Sequence, residues 1–274
     1  MTAAVLSRSS APTLPSVNFG PFKLLEAVPW LVFATGLRYL ATNWGVIGIL
    51  LLAFSVYATL IAFVVCVRRM FIVQNVDKAL IGWSVPQQFL AAKMLFLRLL
   101  ALCSLATLLW LPFFKGDDLI AFLVGPDGIA FDTLDVAFFV KPWCAFCAGL
   151  AFLMLLQQDR GEKRVCVAAL KEFVRRALYL VPALVLMTCF YALFAIVQDF
   201  ARLHVETAMQ GIVSPPLRNS LFFLFVFSFA SVKLWANVAI LVFFLRLSYA
   251  DEAQSQTDES LAPAAVPARI RRHR

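Results

Sequence analysis

The chain has 274 residues, 62% apolar and only 15% charged, with a mean hydropathy of +0.85. Soluble domains run near roughly 45–50% apolar and 25% charged, so a water-soluble globule is excluded and one membrane domain is expected. The net charge of +8 does not imply nucleic acid, because a membrane protein gathers Lys and Arg in its cytoplasmic connections.

Residues 1–20 carry one Arg and no following apolar core, which reads as a disordered tail rather than a cleavable signal peptide. Residues 21–249 form the expected transmembrane helical domain. Its first segment, Leu24–Ala41, contains Glu26, Pro29 and Arg38. It reads either as an interfacial helix or as a short span whose Glu26 and Arg38 reach opposite boundaries, and the absence of acid before it favours the span.

Trp44–Val67 is an uninterrupted apolar run closed by Arg68 and Arg69, longer than the roughly 18 residues that cross a bilayer core. The next helix starts on a capping-box pattern, Ser84 with Gln87, and has Pro86 in its first turn. Its buried part covers about Met94–Phe114, with Arg98 placed to snorkel. Between Lys115 and Lys141 five aspartates accompany the run LIAFLV-GPDG-IAFD, which predicts a small external β-hairpin around a Pro-Asp-Gly turn.

A third span ends near Gln158, a fourth covers Ala177–Val197, and a fifth, rich in Phe, covers Ser220–Leu245. Residues 250–274 are rich in Ala, Pro, Ser, Gln and acid and end on RIRRHR, which reads as a second disordered tail. The fold class is therefore all-α: a polytopic transmembrane helix bundle of five clear spans, a sixth at Leu24–Ala41, and the small hairpin.

The connections set the orientation. Fifteen Lys and Arg residues fall on the side of the C-terminal tail, against four on the other: Lys115, Lys141, Arg202 and Arg218. The richer side is cytoplasmic, which suits a multi-pass protein of a bacterial inner membrane with its C-terminus inside.

Lys233 is the sharpest anomaly, a charge near the middle of an apolar run, where insertion costs about 2.5–3.5 kcal/mol unless the ammonium finds a partner. Asn237 lies four residues on, on the same helix face. No Asp or Glu is mid-span, so the partner must be a backbone carbonyl, a hydroxyl such as Thr188 or Ser104, another protein, or an anionic ligand. The sequence Trp143-Cys144-Ala145-Phe146-Cys147 after Lys141-Pro142 resembles the WCxxC of thioredoxin-like redox proteins. That resemblance covers five residues and implies a reactive Cys144 at a helix start with Cys147 beside it; no βαβ pattern accompanies it.

His204 reads as a solvated residue of the connection after the fourth span. Residues 160–176 space apolar positions against charges, as an amphipathic helix on the membrane surface does. No P-loop, HExxH, GxSxG or GxGxxG is present, and neither a metal site nor a cofactor is expected. Three functions follow, with the bilayer and other membrane subunits as expected partners. The first is a non-enzymatic subunit or scaffold of a membrane assembly. The second is a transporter or channel for an anionic or lipid-like solute using Lys233 and Asn237, and the third a thiol–disulfide oxidoreductase using Cys144 and Cys147.

Overall fold

The computed structural model describes residues 21–41, 44–74, 82–111, 125–131, 140–210 and 214–261. A 3-10 turn, Pro21–Ala27, leads into α1 (Val28–Ala41), followed by α2 (Gly45–Gln74) and α3 (Val85–Trp110). A second 3-10 turn, Gly125–Ile129, precedes α4 (Val140–Asp159), α5 (Val165–Arg175), α6 (Ala177–Met209) and α7 (Pro215–Leu261). Prolines stand in the first turn of α1, α3, α4 and α7, where the missing N–H would have no helical acceptor in any case.

Six helices are long and apolar enough to cross a membrane, Leu24–Ala41 among them. The outer charges of that first segment sit at its two ends. Glu26 pairs with Arg69, near the end of α2, at 3.4 Å, and Arg38 pairs with Asp127 in the second 3-10 turn. The segment therefore lies along much of α2, with one charge at each end of it, as the spanning alternative requires.

Burial separates the helices. The apolar stretch of α4 is 83% buried, against 28% for α3 and 22% for α6, so α4 is the axis of the bundle and the other two turn most of their surface outward. Small residues let α4 take that place. Ala145, Ala148, Gly149 and Ala151 are buried, and a methyl group added at Gly149 would stand 2.9 Å from Leu184 of α6. In lipid, where apolar contact alone does not drive association, such close approach is what holds helices together.

The end of the bundle that carries Arg69 is closed by polar contacts. Ser84 and Gln87 form the expected capping box at the start of α3, with Gln87 accepting a 2.7 Å bond from the Ser84 backbone N–H. Trp83 donates to Asp159 at 2.5 Å, and Arg98 reaches back to Gln158 at 2.9 Å. Arg176 is buried; it bonds Glu172 at 2.5 Å, Ser248 at 2.5 Å and Glu252 at 2.8 Å, and lies 4.4 Å from the Tyr249 ring centroid.

Two expectations need correction. The chain does not leave helical structure at Ala250: α7 continues to Leu261, because Asp251, Glu252 and Ala253 tolerate a helix and Glu252 is held by Arg175 and Arg176. The rest of that tail, and residues 1–20, lie outside the described residues. Nor is the Pro-Asp-Gly turn the tip of an external hairpin. Among the described residues there is no strand, the run before Gly125 lies outside them, and Gly125–Phe131 is buried throughout.

Candidate binding site

Backbone inside a bundle must have its polar groups satisfied, since lipid offers no water to do it. The Gly125–Phe131 segment meets that demand partly by itself, with the N–H groups of Ala130 and Phe131 donating to the Asp127 carbonyl at 3.2 and 3.0 Å. Its outgoing carbonyls are taken by α7. Asn237 Nδ2 donates to the Ile129 carbonyl at 2.7 Å and Lys233 Nζ to the Phe131 carbonyl at 3.0 Å. The i, i+4 spacing of these two donors matches two carbonyls that are two residues apart on a tight turn. Lys233 also lies 4.4 Å from the centroid of the Tyr191 ring of α6, whose negative face favours a cation.

The other side of the segment rests on α4. A methyl group added at Gly125 would run into Trp143, and one at Gly128 into Cys144, so the two glycines allow the turn to lie directly on that helix. Asp127, 1% exposed, pairs with Arg38, and the Arg38 guanidinium lies 4.9 Å from the Phe131 ring centroid. Asp127 Oδ1 and Asn237 Oδ1 accept no hydrogen bond among the described residues.

Beside this segment is a cleft of about 240 Å³ between α1, α6 and α7. Ala130 and Phe131 form one end of it, and Phe222, Phe225, Val226 and Phe229 of α7 make its body apolar. Its polar lining is Thr35, Arg38 and Tyr39 from α1 with Gln198 and Arg202 from α6. Thr35 spends its hydroxyl on the Leu31 carbonyl at 2.7 Å. Arg202 Nε bonds Glu206 at 2.7 Å, which leaves the remaining N–H groups of a five-donor guanidinium. Gln198, 7% exposed, lines the same cleft.

The structure thus separates residues that the sequence grouped by anomaly. Lys233 and Asn237 support the turn and do not line the cleft. Cys144 and Cys147 are buried beneath the turn; all six cysteines are free thiols, and Cys147 Sγ lies 4.0 Å from Cys103 Sγ of α3. His204 belongs to the last turns of α6, with Nδ1 2.8 Å from the Phe200 carbonyl. Among the described residues no group of His, Cys, Asp and Glu is placed to hold a metal.

Sequence reasoning passed over Gln198 and treated Arg202 as an ordinary connection charge. The available signal was their i, i+4 spacing, which puts both on one face if α6 runs on past Val197, as it does to Met209.

Six long apolar helices around a buried polar segment define a polytopic α-helical integral membrane protein. No protein-family model matches the chain, and no curated protein or solved structure is significantly similar to it.

Proposed function

We propose that this membrane protein binds and handles an anionic, lipid-like solute, with the charged head at Arg38, Arg202 and Gln198 and the apolar part along the phenylalanines of α7. The observation that carries the reading is the composition of the cleft, which Arg38, Arg202 and the buried Gln198 line together with an aromatic trough. Guanidinium and amide N–H groups lining one cleft suit an anionic oxygen. The Phe lining suits a hydrocarbon chain. On this reading the solute lies at the cleft rather than at Lys233, whose ammonium is engaged by the Phe131 carbonyl. The thiol reading draws no support from Cys144, which is buried under Gly128 rather than open to an external disulfide.

Dodecyl phosphate and dodecanol test the proposal as a matched pair of probes on the purified chain in a non-ionic detergent. Dodecyl phosphate is expected to raise the unfolding midpoint more than dodecanol does, and Gln198→Leu or Arg202→Gln is expected to remove the difference. Equal protection by both probes, or protection that survives in both variants, would overturn it. The reading as a subunit of a larger assembly is checked on the same preparation, where a blue-native gel showing only monomer would remove it.

A further inference from the structure

α5 connects the ends of α4 and α6, so it lies at the boundary of the bundle, at the end that carries the Arg176 cluster. Its faces differ in kind. Val165, Ala169 and Glu172 turn inward and are buried, whereas Val167, Leu170 and Val174, spaced i, i+3 and i+7, are 48%, 44% and 74% exposed. Leu178, one turn further, continues that stripe. An exposed apolar stripe on a helix at the membrane boundary rests against acyl chains.

A groove of about 640 Å³ runs beside the stripe, between α5 and the Gly161 turn, with Lys163, Arg164, Lys171 and Arg175 on its walls together with Glu162 and Glu172. Arg175 is held by Glu252 at 2.7 Å, and Glu172 by Arg176 at 2.5 Å. Among the described residues Lys163, Arg164 and Lys171 make no ion pair, and Glu162 is the only acid of the groove left to offset them. The groove is therefore positive where it meets an apolar strip.

We propose that this groove holds the headgroup of an anionic phospholipid of the adjacent leaflet, its phosphate near Lys163, Arg164 and Lys171 and its chains along Val167, Leu170 and Val174. A soluble anion would satisfy the charges and leave the stripe bare, and a zwitterionic lipid would cover the stripe and leave the charges unmatched. A lipid with a net negative headgroup meets both demands, and juxtamembrane cations favour such lipids at short range. The site is independent of the α6–α7 cleft, which lies by Arg38 and Asp127 at the other end of α1 from the Glu26–Arg69 pair.

The test is native mass spectrometry of the full chain in detergent with equal amounts of phosphatidylglycerol and phosphatidylcholine of the same acyl chains. The wild type is expected to retain phosphatidylglycerol at least fivefold over phosphatidylcholine. Lys163→Gln with Lys171→Gln is expected to cut that ratio severalfold, while Lys93→Gln leaves it unchanged. Raising salt on the wild type, which changes no residue, is expected to lower the ratio in the same direction. Equal retention of the two lipids by the wild type, an unaltered ratio in the double variant, or an equal fall in Lys93→Gln would overturn the proposal. Failure of the dodecyl phosphate experiment leaves this site unaffected, since it concerns the other end of the bundle.

Discussion

Lys233 and Asn237 occupy positions where a polar side chain is costly, and each removes a second cost by meeting a carbonyl that lipid would leave unsatisfied. The net value of such a bond is modest, but the penalty for leaving its acceptor buried and empty is about 1–3 kcal/mol. Lys233→Met keeps the length of the side chain and deletes the donor, so it is expected to cost roughly that much. Asn237→Leu does the same to the Ile129 carbonyl. Because both donors hold one short turn, the double variant is expected to deviate from the sum of the singles by about 0.5 kcal/mol or more. Unfolding of the four proteins in detergent measures the cycle; strict additivity would mean that the two carbonyls are held independently. The anomaly of Lys233 was visible in the sequence because a charge in an apolar run needs no structure to be noticed. Its partner was not, because Phe131 is 102 residues away and a backbone carbonyl leaves no trace in a sequence.

At the scale of elements, periodicity and caps placed the helices well, and their ends less well. α6 and α7 outrun the apolar windows that announced them, since Gln198 to Met209 and Asp251 to Leu261 are helical without being lipid-like. What extends α7 is a long-range contact. Arg176, at the corner of α5 and α6, binds Glu252 and Ser248 across about a turn of α7. Burial works against the charge of Arg176, but hydrogen bonds and attraction from Glu172 and Glu252 outweigh it and hold the guanidinium above its ordinary value. The folded-state value is the raised one, so this stabilisation is complete below the unfolded-state value and is lost only as pH rises through the folded one, beyond the range in which proteins are handled. Arg176→Gln is expected to cost roughly 2–4 kcal/mol, somewhat under a fully buried pair because Glu252 is partly exposed. The loss is expected to be the same at pH 7 and pH 9. Hydrogen exchange should locate it in Arg246–Leu261, and exchange there that matches the wild type would show that the cluster does not hold the extension.

For the whole molecule the deciding element is the first span, because its presence sets the parity of all the others. Composition left Leu24–Ala41 between two readings: it has the lowest hydropathy of the six candidates, 1.3, and carries charges near both ends. Contacts favour the span. Glu26 meets the end of α2 that carries Arg69, and Arg38 meets the turn before α4, so the segment spans the distance between the two polar ends of the bundle. Six crossings put a reporter joined ahead of Pro21 and one joined after Leu261 on the same side of the membrane, whereas five would put them on opposite sides. From the excess of basic residues in the connections we propose that this side is the cytoplasm. A fluorescent protein that matures only in the cytoplasm is therefore expected to light up in both fusions. An alkaline phosphatase, active only outside, is expected to be silent in both and active when placed at Ser214, ahead of α7. Fluorescence at one end and phosphatase activity at the other would mean that Leu24–Ala41 does not cross. The cleft would then lose the α1 wall that brings Arg38 to Arg202, so the same experiment bears on the site as directly as on the topology.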